Sequence, residues 1–293
     1  MDNFYTPEEI AKLLKVHLQT VLTYIKDGKL KAVKLDKGYR ISEADFKRFV
    51  EGSQAVKTPE EYLTQMGYHK KYKAFRKTSM KPSSPLANLI PNKDLESLLE
   101  GSSVKNRQGY RAFPFPSLSL MAENEKRLPD GILLEKEVAF AGNMLFFAFV
   151  SNRGEILTAE SLWEDAESSD FQNSIGLITS IGIIYRGLLF IPRYYSAIKY
   201  TGSVNYAFII DKPAGRSLVM DSNRGRLWRG GYIATTEDPI IIEREINASM
   251  SKEEAINTAS EMVKDLLWYF KCDDIGDPVI RNLVEEAAEN IQE

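Results

Sequence analysis

Cysteine occurs once in the 293-residue chain, at Cys272, and histidine twice, at His17 and His69. One thiol excludes an intramolecular disulfide and fits a reducing compartment. So few soft ligands exclude the usual His/Cys zinc sites within a single chain. There is no Gly-rich phosphate loop, no dinucleotide fingerprint, and no serine set in the arginine-rich pattern of a resolvase. No apolar run reaches the roughly 20 residues of a membrane-spanning helix. The most apolar stretch, residues 175–192, is interrupted by Arg186 and several glycines. No charged-then-apolar leader opens the chain. The expectation is a soluble cytoplasmic protein with no cofactor, no metal and no catalytic residues.

What is present has ordinary globular proportions, 43% hydrophobic and 27% charged, enough for a sizeable core. The length favours two domains. The net charge of −3 hides an asymmetry. Residues 1–81 hold 17 Lys and Arg against 10 Asp and Glu, while the rest holds 21 against 31. A +7 part joined to a −10 part suggests that only the first meets a polyanion.

Near the N-terminus, Thr6-Pro7-Glu8-Glu9 is a dense helix start, with Thr6 and Glu9 as a capping box and Tyr5 and Ile10 as a hydrophobic staple. Ile10, Leu13 and Leu14 give a short helix its apolar stripe. A second helix begins almost at once, at His17 or Leu18, and runs to Asp27 with Gly28 as its stop. Two short helices joined so tightly form a helix-turn-helix. At about 100° per residue, Leu18, Val21 and Ile25 face the first helix. Gln19, Thr23 and Lys26 share the opposite face, flanked by Thr20. These are hydrogen-bonding residues of the kind a major-groove helix needs; the other reading is a plain solvated face. A lysine-studded ribbon follows, residues 30–35 out and Tyr39-Arg40-Ile41 back, around Asp36-Lys37-Gly38. Ser42 then caps a third helix, stapled by Ile41 and Phe46.

The residues Tyr5-Thr6-Pro7-Glu8-Glu9-Ile10-Ala11-Lys12-Leu13-Leu14, Val16, Thr20-Val21, Ile25, Gly28-Lys29-Leu30, Ala32-Val33 and Gly38-Tyr39-Arg40-Ile41 resemble the excisionase family of DNA-binding domains, relatives of the MerR-type winged helix. The resemblance covers residues 4–51. It implies that Gln19, Thr20, Thr23 and Lys26 enter the major groove and that Lys34, Lys37, Tyr39 and Arg40 act from the wing. His17, Leu18, Leu22 and Lys15 depart from the family pattern. His17 reads as a poor cap or a phosphate donor, since no second histidine is near.

Residues 53–107 read as a basic connector. Within it Lys70, Lys71, Lys73, Arg76, Lys77 and Lys81 are interleaved with Tyr68, Tyr72 and Phe75. The cations suit an extra nucleic-acid contact; the aromatics suit packing on a neighbouring domain. A short helix is expected near residues 92–100. Residues 108–293 read as an α/β (α+β) domain. Buried strand material is expected over 138–150, strands near 155–157, 204–210, 217–220 and 240–246, an apolar helix over 171–198, and a long helix capped by Ser251. The Tyr200-Thr201-Gly202-Ser203-Val204 segment and the closing Leu267-Trp268-Tyr269-Phe270 look like the C-terminal part of bacterial Schlafen-type DNA-binding proteins. The acidic pairs Glu164-Asp165 and Asp273-Asp274 read as solvated surface. Arg224, Arg226 and Arg229, set among glycines and aromatics, form a candidate anion site, with an ion-paired hairpin as the alternative.

The reading is multidomain: a winged helix-turn-helix domain at 1–52, the connector, and an oligomerisation or sensing domain from 108. It implies sequence-directed binding of double-stranded DNA by a transcriptional regulator acting as a homo-oligomer, a dimer, under an unidentified small-molecule or protein effector. Two other readings stay open. One is an excisionase-like architectural factor in mobile-element recombination. The other is a nucleic-acid-processing enzyme with its site in the C-terminal half.

Overall fold

The computed structural model of the chain describes residues 4–14, 16–26, 30–35, 38–46, 61, 63–64, 67–114, 124–139, 143–167, 169–221 and 231–291. It divides into two compact units, residues 1–66 and 67–293.

The first unit opens with strand β1 (Phe4–Tyr5), then helices α1 (Pro7–Leu14) and α2 (Leu18–Lys26), then strands β2 (Val33–Leu35) and β3 (Gly38–Ser42). The Thr6 amide donates to Glu9 Oε2 at 2.7 Å and the Glu9 amide to Thr6 Oγ1 at 3.2 Å. This is the capping box, and it fixes where α1 starts. The strands form a small antiparallel sheet in the order β1-β3-β2. β1 is an addition: a two-residue strand carries too little pattern to be read from sequence. Ile10, Ala11, Val21, Leu30 and Ile41 form the core, with Tyr5, Tyr24, Ile25 and Phe46 packed on it. Residues 43–46 are helical, and the Asp45 amide donates to Ser42 Oγ at 3.0 Å.

The second unit begins with α3 (Tyr68–Lys71) and strand β4 (Phe75–Pro82). Next come α4 (Leu95–Ser102), β5 (Val104–Lys105), β6 (Arg111–Phe113), β7 (Asn124–Leu128), β8 (Gly131–Ala139), β9 (Asn143–Ser151) and β10 (Ile156–Ser161). They are followed by β11 (Ser174–Gly176), α5 (Leu177–Ala197), β12 (Ser203–Ile210), β13 (Ser217–Val219), β14 (Ile240–Asn247), α6 (Lys252–Tyr269) and α7 (Asp277–Glu289). Among the described residues, seven strands form one antiparallel sheet in the order β14-β12-β4-β10-β9-β8-β7. An antiparallel sheet packed against helices is α+β architecture.

α5 is the central helix. It is apolar almost all round, from Leu177 through Ile184 and Leu188 to Ile191, as a helix buried on most sides must be. At Gly187 the ring of the fully buried Tyr206 on β12 lies against the backbone, where a Cβ would collide with it. The Tyr206 hydroxyl donates to the Ile184 carbonyl at 3.2 Å. The glycine thus brings helix to sheet. α6 starts at a full capping box, Ser251 with Glu254, as its sequence indicates. α7 was not anticipated.

Three expectations change. Residues 68–82 are not connector: β4 lies inside the sheet, bonded to β10 on one side and β12 on the other. The boundary near 107 therefore moves to 66/67. The apolar stretch over 138–150 is shared by two strands, the end of β8 and most of β9. The expected helix over 171–198 begins at Leu177, because residues 174–176 pair with β13 as a parallel strand.

Candidate nucleic-acid interface

α2 sits on the core through Val21, fully buried, and the half-buried Tyr24 and Ile25. These positions (i, i+3, i+4) form one helical stripe. Leu18 is not in it: at the first turn it stays 37% exposed, and Tyr24 takes the place expected for it. Leu13 on α1 is likewise exposed rather than packed. The turn between the helices is closed by Val16 N donating to Ala11 O at 3.0 Å and Thr20 N to His17 O at 2.9 Å. The His17 side chain caps nothing among the described residues.

Opposite the buried stripe, Gln19, Thr23 and Lys26 are exposed together and Thr20 flanks them half-buried. The Thr23 hydroxyl donates to the Gln19 carbonyl at 2.9 Å. Its proton is spent inside the helix, so outward Thr23 offers lone pairs and a methyl group. Among the described residues nothing bonds the Gln19 side-chain amide and no ion pair holds Lys26.

β2 and β3 pair as a hairpin with Lys34 opposite Tyr39 and Val33 opposite Arg40. Opposed residues share a face of the pleat. Lys34 and Tyr39 therefore lie on the face that carries the buried Ile41 farther along β3, with Arg40 on the other face beside the exposed Val33. Of the ribbon cations, Lys34 and Arg40 thus stand on opposite faces. Arg40 is half-buried and donates to the Tyr39 carbonyl at 3.0 Å. Lys37 lies outside the described residues, as do Arg224, Arg226 and Arg229.

The second basic segment, residues 70–81, is differently disposed. Lys71 pairs with Glu137 at 2.6 Å, Lys77 with Asp211 at 3.7 Å and Lys81 with Glu155 at 3.5 Å. Tyr68 donates to Glu135 at 2.5 Å, and Tyr72 packs edge-on against Phe75 at 5.9 Å. Burial and the bond to Glu135 push the Tyr68 phenol far above its usual value. Arg76, fully buried, donates to Glu160 at 3.2 Å and to the fully buried Glu164. Burial draws its guanidinium down and Glu160 and Asp221 push it back up; an arginine in such company stays charged.

Glu164 and Asp165 are thus not solvated. Glu164 also accepts from the Gly176 amide at 2.6 Å, and Asp165 forms a two-bond pair with Arg216, both at 2.8 Å. Asp221 accepts from the Ile178 amide at 2.7 Å at the start of α5. Sequence reasoning missed this network because its members come from five separate segments. Asp273 and Asp274 are exposed, and Asp274 accepts from Tyr232 at 3.1 Å. Among the described residues no group of three or more His, Cys, Asp or Glu could hold a metal ion.

The fold and exposed face of the first unit define a helix-turn-helix module. Residues 4–54 match the family model described as a helix-turn-helix domain, of the excisionase-like kind. That is a DNA-binding class, so DNA is the partner it implies. No curated protein and no solved structure matches the chain, and nothing carries the Schlafen-type resemblance of the C-terminal half. Among the described residues no helix is long and apolar enough to cross a membrane.

Proposed function

We propose that this is a cytoplasmic, sequence-directed double-stranded DNA-binding protein of the winged, MerR-like kind, acting as a transcriptional regulator. The observation that carries it is the exposed Gln19–Thr23–Lys26 face on the second helix of a helix-turn-helix unit. On this reading the side chains of α2 read base edges. Lys34, Lys37, Tyr39 and Arg40 hold phosphates and set register. A lone module of this size spans only a few base pairs, so the protein works as a homodimer that presents two copies. The test is footprinting of the full chain on DNA flanking its own gene, with light scattering at the same concentration. A protected site with two half-sites one helical turn apart is expected. A monomer, or binding that does not distinguish this DNA from random duplex, would refute the reading.

A further inference from the structure

A cavity of 280 Å³ lies in the second unit between the sheet and α5, beneath the segment that leads into β6. We propose that it is a binding site for a small organic monoanion, a carboxylate carried on an apolar body. Arg76, Glu160 and Phe146 form its floor, a single cross-strand row over β4, β10 and β9. Ile183 and Arg186 reach it from α5, and Phe113 covers it.

The charges decide the class of ligand. Three cations and one carboxylate line the cavity: Arg76, Lys77, Arg186 and Glu160. Two of the cations are already held, Arg76 by Glu160 and by Glu164 behind it, and Lys77 by Asp211. Arg186 alone is left over. It makes no hydrogen bond and no ion pair with the described residues, and its buried Nε has no partner. Burial draws its guanidinium below the usual value, against the nearby charge of Glu160. The side chain is half-buried, and a charged fork with its Nε buried and no acceptor is unfavourable. A carboxylate fits it with two parallel charge-assisted bonds.

Phe146, Ile183 and Phe113 leave room for an apolar body, and the volume, at the small end of ligand pockets, limits that body to a single ring or a short chain. Glu160 opposes a second negative charge, which disfavours phosphate. The guanidinium lies back over its own helix, where Gly182 stands one turn earlier. A Cβ at Gly182 would come to 3.3 Å from Arg186 Nη2. The site stands independently of the DNA-binding reading.

Calorimetric titration of the full chain tests it with benzoate and hexanoate as probes, against benzyl alcohol, benzylamine and inorganic phosphate. Benzoate, hexanoate or both should bind saturably, and about tenfold more tightly than benzyl alcohol, the margin of a charge-assisted bond. Which acid binds better tells an aromatic from an aliphatic body. Arg186→Gln should remove the preference for the acids. Gly182→Ala keeps the charge but displaces the guanidinium, so acid binding should weaken severalfold while the melting temperature holds or rises, as alanine favours the helix. The proposal is overturned if neither acid binds at millimolar concentration, if benzylamine or phosphate binds as well as the acids, or if the preference for the acids over benzyl alcohol survives in Arg186→Gln.

Discussion

The chain has two lysine-rich segments of similar composition, one around residues 26–40 and one at 70–81, and they differ in where the counter-charge is. In the second, four of the six cations, Lys71, Arg76, Lys77 and Lys81, each have a carboxylate of the same unit within 4 Å. In the first, Lys26 and Lys34 stand exposed, and no ion pair among the described residues holds them. A cation already paired has little left to offer phosphate, because DNA would have to compete with a carboxylate at a fixed distance. An unpaired one releases a DNA counterion for each contact. Positive charge in a sequence therefore marks a polyanion site only where the fold withholds the partner.

Arg76 is the sharpest way to break this comparison. Arg76→Ala leaves Glu164 buried without its cation, and both side chains are fully buried. Removing one partner of such a pair costs about 3–5 kcal/mol. Urea denaturation of the full chain should show that loss in the second unit. Lys34→Ala, on an exposed ribbon, should change stability by no more than about 0.5 kcal/mol. Equal losses would mean that the two segments are not different in kind.

Smaller effects are expected at the DNA, and they divide the module. Gln19→Ala should cost about 1–3 kcal/mol of discrimination between target and random duplex, the worth of a two-bond base contact. Thr23→Ala should cost less, since its proton is already given to the Gln19 carbonyl. Lys34→Ala and Arg40→Ala should instead weaken both duplexes alike and each lower the salt slope by about 1. Fluorescence anisotropy at two salt concentrations separates the patterns. Specificity lost equally from helix and ribbon would place the reading face elsewhere.

How much of this could be read beforehand follows from how local each signal is. Thr6 with Glu9 and Ser251 with Glu254 are three residues apart, so both capping boxes are legible as written. The helix-turn-helix is also local, and only the end of its stripe was misplaced, at Leu18 and Leu13. β4 was illegible because its buried face carries Arg76 and Thr78 where an apolar alternation would announce a strand. Those residues are satisfied across the sheet, Thr78 by the Thr158 hydroxyl at 2.6 Å and Arg76 by carboxylates more than eighty positions away. Glu164-Asp165 looks like solvated surface for the same reason, its partners Arg76 and Arg216 being distant in sequence. The cavity beside Arg186 is assembled from four strands and a helix, and no spacing along the chain encodes that.

Lys71 offers the smallest effect and the finest discrimination. It is an exposed lysine flanked by aromatics in the most basic stretch of the chain, which by composition alone suits a phosphate contact. In the fold it reaches both oxygens of Glu137 at 2.6 Å and lies 5.4 Å from the centre of the Tyr72 ring. The bond to Glu137 raises its ammonium above the usual lysine value, so it stays charged at any pH where DNA is bound. Both partners are nearly half exposed, and such pairs are worth about 0.2–1 kcal/mol. Lys71→Ala should therefore leave affinity for target and random DNA, and the salt slope, unchanged, with at most that small loss of stability. The control is Lys34→Ala, which removes the same charge and should lower the slope. If Lys71→Ala lowers it equally, the carboxylate does not occupy the lysine, and the second basic segment joins the interface with DNA.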